Sequence, residues 1–203
     1  MRPTASPIHY LPVFSHVGEA QRHVPLAERD PVTAVLGLGG TRQSAYQKLP
    51  GFGDILHQLG IQEIVDIGPE CDVPREVDSI PVRRMGVLDA AEIDREFTRT
   101  TFGYLARPPT CLAKSEVFAG YCAHGVVPVI AQDFPGEIDR LSDGVHVLSP
   151  RTAKVIGPAE LEQCSIAAWR WYSGHRLHDH AAVYARWMDA MGSRPQSAGR
   201  NYE

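Results

Sequence analysis

A chain of 203 residues with 20 Lys+Arg against 24 Asp+Glu carries a formal net charge of -4, so it offers no cationic excess to a polyanion and dedicated nucleic-acid binding is not expected. At 43% hydrophobic and 22% charged residues, its composition is that of a folded globular protein, which excludes disorder as the main state. No apolar run approaches the roughly 18 to 20 residues of a membrane span, and the opening MRPTASPIHYLP lacks the unbroken apolar stretch of a secretory signal, so a cytoplasmic location is the expectation.

Residues 1–32 hold Pro3, Pro7, Pro12 and Pro25 and end in the polar stretch Glu28-Arg29-Asp30-Pro31. Such a segment is too broken for a long helix or a central strand and reads as a leader or interdomain linker. From Thr33 short apolar runs alternate with segments of helical length. The expected strands are Thr33 to Leu38, Glu63 to Ile67, Ile80 to Met85, Thr101 to Leu105, Val126 to Ala131 and Val145 to Leu148, and the expected helices lie near Ser44 to Leu59, Ala90 to Arg99, Ser115 to His124 and Pro135 to Leu141. Pro50, Gly51 and Gly53 should split the first helix. Asp89 and Glu92 form a capping-box pattern at the second. Beyond Pro158 the pattern becomes long and amphipathic, broken near Ser173-Gly174, and carries all three tryptophans. The expected fold is α/β, a Rossmann-like parallel sheet of about six strands with helices on both faces and long C-terminal helices. Residues 33–158 would form the main domain, 159–191 its closing helices and 192–203 a frayed tail.

In an open parallel sheet, ligands bind beyond the carboxyl ends of the strands, where glycine turns and helix starts expose amides. Two segments fit. Gly37-Leu38-Gly39-Gly40-Thr41-Arg42 closes the first strand and is followed by Lys48, a pattern that serves a diphosphate or simply a tight turn with two solvated cations. Lys114-Ser115-Glu116 opens a helix whose free amides and dipole face an anion, or forms an ordinary capped core helix. Asp133 reads as a cap. A metal site at His175, His178 and His180 is not expected, because His180 lies off the face that the other two share. Cys71, Cys111, Cys122 and Cys164 contain no C-x-x-C pair and read as free thiols.

In their shared order these features resemble the C-terminal, nucleotide-sugar-binding domain of GT-B glycosyltransferases of the retaining, group 1 type. The likeness runs from about Ile8 to Met191. Ile8 to Val17 resembles the interdomain linker. Arg42 and Lys48 fall near the family's diphosphate-binding arginine and lysine, one residue further apart than usual. Gly86-Val87-Leu88-Asp89 with Glu92-Ile93 resembles the turn and helix whose backbone holds the nucleotide base. Ala123 to Ala131 resembles the Ala-x-Gly-x-Pro-Val-Val-Ala signature with one extra residue, and Gly136-Glu137-Ile138 and Asp143-Gly144 resemble the family's glycine turn and Asp-Gly on the carboxyl side of that signature. The family's E-x7-E pair is absent: Leu112 and Gly120 stand at those places, and Glu116, the nearest acid, is out of register.

The resemblance implies a hexosyltransferase that moves a sugar from a nucleotide diphosphate sugar to an acceptor. No metal or other cofactor is called for, and Gly39, Gly40, Arg42, Lys48, Val87, Leu88, Lys114, Ser115 and Glu116 are the implied donor-binding residues. The acceptor-binding domain that precedes the linker in such enzymes would be the partner that completes the cleft, and the chain alone would be inactive. The alternative is a non-catalytic nucleotide or nucleotide-sugar binding module. The absence of G-x-S-x-G and G-x-G-x-x-G counts against a small hydrolase or reductase.

Overall fold

The structure is a computed structural model that describes residues 10–47 and 52–192. Its centre is a six-stranded sheet in the order β3-β4-β2-β1-β5-β6, built from β1 (Asp30–Leu36), β2 (Glu63–Ile67), β3 (Glu76–Val77), β4 (Ile80–Gly86), β5 (Thr100–Leu105) and β6 (Val127–Ile130). All neighbours pair in parallel except β3, a two-residue antiparallel edge on β4. From β1 the chain builds outward through β2 to β4, then returns to lay β5 on the other side of β1. The strand order therefore reverses between β1 and β5, the topological switch point at which open α/β sheets bind ligands.

The pleat sends alternate residues to two cores. Val32, Ala34, Val65 and Ile67 face a layer containing Ile93, Phe97, Phe118, Tyr121 and Tyr172. Val35, Ile64, Phe102 and Tyr104 face Ala45, Ile55, Leu56, Leu148 and Cys164. Helices α1 (Gly39–Gln47), α2 (Phe52–Gln58), α3 (Ala90–Arg99), α4 (Glu116–Ala123), α5 (Pro150–Ala153), α6 (Pro158–Ser173) and α7 (Leu177–Gly192) complete the architecture. The capping box at Asp89 forms as expected, with reciprocal bonds of 2.8 Å to Glu92. The closing segment breaks at Gly174 into two helices of 16 residues each.

Two expected elements differ. Pro135 to Leu141 is not a helix but contributes to a hairpin, β7 (Glu137–Ile138) and β8 (Leu141–Ser142). Its turn residues Asp139 and Arg140 have φ of 55° and 62°, the mirror-image turn whose twist matches that of the flanking strands and which a right-handed helix cannot contain. Val145 to Leu148 is not a full strand: Leu148 joins β6 through an isolated parallel bridge to Val129, and the sixth place in the sheet goes to β3.

The leader from residue 10 is docked against the helices rather than detached. Val13 N–H donates to the Ala113 carbonyl at 2.9 Å and Ala20 N–H to Ala123 at 3.2 Å. The Tyr172 hydroxyl accepts from Ser15 N–H at 2.9 Å and donates to Glu19 at 2.6 Å. Gly120 has its small side turned to this segment, since a Cβ there would meet Val17 at 3.0 Å. Arg29 anchors the end of the leader. Its buried guanidinium donates to the carbonyls of Val24, Phe97, Thr100 and His124, and so gathers the carboxyl ends of α3 and α4. Among the described residues, no helix is long and apolar enough to cross a membrane.

Candidate functional site

At the switch point β1 and β5 separate, and one side chain decides how. The two strands pair as far as Ala34 with Gly103. Beyond that, the hydroxyl of buried Tyr121, on α4, accepts from Leu36 N–H at 3.3 Å in place of the ladder partner that β5 no longer supplies, and donates to the Ala34 carbonyl at 3.0 Å. Gly103 is required beneath the ring, because a Cβ there would lie 2.5 Å from it. Burial raises the Tyr121 phenol far above its ordinary range, so it stays a neutral donor and acceptor.

Above this plug lies a hollow lined by Val35, Leu36, Thr41, Ala45, Tyr104, Leu105, Ala106, Arg107, Ser115 and Val117. It leaves about 10 Å³ for the centre of a water-sized sphere, room for a single water. Two helix starts border it. Thr41 belongs to the first turn of α1, and Ser115 caps α4 by accepting from Phe118 N–H at 3.3 Å. The N–H groups of Glu116 and Val117 have no acceptor within their helix, which leaves positive partial charge at the rim.

The two segments expected to converge therefore share one hollow, although not through the expected arginine. Arg42 is 2% exposed and its guanidinium is bound to the equally buried Asp66 of β2 and to the Pro69 carbonyl. Tyr46 donates to the second Asp66 oxygen at 3.0 Å. Arg42 is thus a lock between α1 and the turn after β2, not a free cation at the rim, because a buried aspartate needs a counter-charge more than solvent-facing phosphate does. Gly68 makes the lock possible: a Cβ there would fall 2.1 Å from the Gly37 carbonyl oxygen and 2.8 Å from Arg42 Nε.

Arg107 is the cation at the hollow, and the sequence motifs did not single it out. It stands two residues past the end of β5, is exposed, and makes no hydrogen bond or ion pair among the described residues. A basic residue one or two positions past the carboxyl end of a switch-point strand was the available signal. Lys114, exposed just before the α4 cap, is likewise without a partner among the described residues. Gly39 and Gly40 form the opening turn of α1, with Gly40 facing open space. Glu116 is directed to the leader, 3.3 Å from His16. Val87, 74% exposed, and Leu88, packed against the core, sit between β4 and α3. Lys48 lies outside the described residues. Leu112 and Gly120, at the positions of the absent glutamates, are both buried.

Among the described residues, two further polar clusters serve the packing of the helices. Ser165, His23 and Glu162 align like a hydrolase triad, with His23 Nε2 2.7 Å from Ser165 Oγ and Nδ1 3.8 Å from Glu162. The fully buried Ser165 hydroxyl donates to the Gly125 carbonyl, so His23 must donate to it and has no lone pair with which to activate it. The row latches the leader to α6. His175 and His180 are buried while His178 is exposed beside Asp179, and no group of three metal-binding side chains occurs among the described residues.

No family model and no curated protein sequence matches the chain. Solved structures do. An alpha-glucosyltransferase in complex with UDP and a 13-mer DNA containing a HMU base aligns with a TM-score of 0.60 at 12% identity, over 94% of this chain and 60% of that one. An alpha-glucosyltransferase in complex with UDP-glucose and DNA containing an abasic site aligns with a TM-score of 0.56 at 13% identity, over 94% and 60% of the two chains. The alpha,alpha-trehalose 6-phosphate synthase of Burkholderia multivorans aligns with a TM-score of 0.50 at 16% identity, over 87% and 46%. The chain thus spans about half to three fifths of the length of these structures, and it has the Rossmann-like fold that they share with other GT-B glycosyltransferases.

Proposed function

We propose that this chain is the donor-holding half of a GT-B glycosyltransferase, binding the diphosphate of a nucleotide sugar across the carboxyl edge of β1 and β5. The observation that carries the reading is an unpartnered cation, Arg107, and two helix starts around one hollow at the switch point, with the unpartnered Lys114 one residue before the Ser115 that lines it. Departure of a nucleoside diphosphate is the hard step in such a transfer, because charge builds on the leaving oxygens. Fixed amides and cations in place before that charge appears stabilise it by several kcal/mol. The turn at exposed Val87 and half-buried Leu88 would hold the base, and Gly40 would admit a phosphate close to the α1 backbone. Arg42 acts from below, positioning α1 through Asp66. The fold likeness to proteins whose structures contain UDP and UDP-glucose points to a uridine donor.

A second reading, a binding module without turnover, is favoured by one observation: Leu112 and Gly120 leave no carboxylate where the family's paired glutamates stand. Calorimetric titration with UDP, UDP-glucose, GDP and ADP tests the shared premise. UDP or UDP-glucose should bind, and Arg107→Ala or Lys114→Ala should each weaken it roughly five- to tenfold, the loss of one charge-assisted contact. No binding by any nucleotide, or unchanged binding in both variants, would sink the proposal. Release of UDP from UDP-glucose in the presence of an acceptor separates the transferase from the module.

A further inference from the structure

A second cationic groove lies between the β7–β8 hairpin and α6. It measures about 460 Å³ and is lined by Arg140, His146, Gln163, Ile166, Ala167, Arg170 and Trp171, sharing no residue with the switch-point hollow. No carboxylate among the described residues lines it, in a protein whose net charge is -4. Neither Arg140 nor Arg170 makes a hydrogen bond or ion pair among the described residues. The carboxylates nearest the hairpin are directed elsewhere or to the histidine: Asp139 pairs with the Tyr10 hydroxyl, and Glu137 acts on His146.

The hairpin turn and the imidazole are held in place. Trp171 Nε1–H donates to the Asp139 carbonyl at 3.2 Å, pinning the hairpin turn to α6. Arg140, the next residue, sits at φ 62°, a left-handed position that an arginine tolerates less well than glycine or asparagine. His146 Nδ1 accepts from Ser142 N–H at 3.2 Å, so the ring hydrogen of the neutral imidazole is on Nε2, free to donate. Through Gln163 and Ala167 the groove continues into a more apolar trough of about 420 Å³ lined by Gly144, Val145, Ala159 and Cys164, with Glu160 as its one carboxylate.

We infer that this groove is a binding site for a phosphomonoester carried on an apolar body, with Arg140, Arg170 and His146 holding the phosphate and the Val145–Ala159 trough taking the apolar part. Two guanidinium forks and an imidazole N–H match the acceptor oxygens of a phosphate, and carboxylate-free walls avoid the repulsion that would oppose its entry. The test is titration of the whole chain with inorganic phosphate and with hexyl phosphate, followed by NMR at the indole N–H of Trp171, which is assigned with Trp171→Phe. Both probes should shift that signal saturably, hexyl phosphate binding at least fivefold more tightly. Arg140→Gly combined with Arg170→Gln should weaken both at least tenfold, while Arg107→Ala leaves them unchanged. If the double variant does not fold, Arg170→Gln alone, on the exposed side of α6, gives the answer with at least a threefold loss. The inference is overturned if the Trp171 signal does not move, if the arginine variants bind as tightly as the parent chain, or if hexyl phosphate binds no better than phosphate. These outcomes are independent of nucleotide binding at the switch point.

Discussion

The two ends of the sheet treat their arginines in opposite ways. At the amino end, Arg29 has its donors directed at four carbonyls and is buried among helix termini. At the carboxyl end, Arg107 stands beside a hollow and two helix starts with no partner among the described residues. A cation whose donors are all accepted holds architecture together, whereas one held at a ligand-binding edge with nothing to accept its donors is available for chemistry. Arg42 shows that position along the sequence does not decide which role applies, since it starts from the carboxyl edge and ends in the lock with Asp66.

The sharpest way to break this contrast is at Arg29. Replacing it with Met would leave the buried Phe97, Thr100 and His124 carbonyls without a charged donor and should destabilise the protein by about 3 to 4 kcal/mol, read by urea denaturation. Burial already lowers its pKa to about 10, with Glu162 partly opposing, which marks how closely the charge is enclosed. A change below about 1 kcal/mol would mean that the carbonyls find water and that the edge is not sealed.

A second prediction concerns the α6–α7 elbow. Burial, and then the neighbouring His180, lower the pKa of His175 from 6.5 to about 4, with Asp179, the Trp171 backbone and Glu19 opposing. Near neutral pH both folded and unfolded chains hold this residue neutral. As the pH falls from about 6.5, the unfolded chain takes up a proton that the folded protein refuses until about 4, so stability is lost across that window. Allowing for partial screening, the loss is about 1 to 2 kcal/mol. Thermal melts from pH 7 to 4 should show this slope in the parent and a shallower one in His175→Phe; equal slopes would exclude His175 as the source.

The smallest expected effect belongs to the plug. Tyr121→Phe removes one hydroxyl from beneath the hollow and leaves Leu36 N–H unpaired, while the Ala34 carbonyl loses one of its donors, costing about 1 kcal/mol. Hydrogen exchange at Leu36 should quicken more than at Val32, which lies within the paired stretch of β1 and β2. Uniform change along the strand would show that the hydroxyl does not hold the split.

Much of the architecture was legible in the sequence because it depends on local pattern. Short apolar runs marked β2 to the residue and β1, β4, β5 and β6 to within a few, and Asp89, Ser115 and Gly174 marked helix ends through capping chemistry that involves only near neighbours. The β7–β8 hairpin was missed because its turn needs two consecutive left-handed residues, and neither Asp139 nor Arg140 is the glycine that announces one. Of the candidate site, the two segments and their meeting at one hollow could be anticipated from topology.

Which cation stands free could not. The chain itself determined the order of strands and helices, the glycine turns and the absence of a basic surplus, since each follows from composition or from residues within a turn or two of one another. Only the tertiary structure decided that Arg42 is taken by Asp66, 24 positions away, that Tyr121 props open the gap between β1 and β5, and that Arg107 is left facing the hollow. The reason is that pairing of buried charge and hydroxyl groups is settled by which distant groups share a dry space, and that information exists only once the layers have packed.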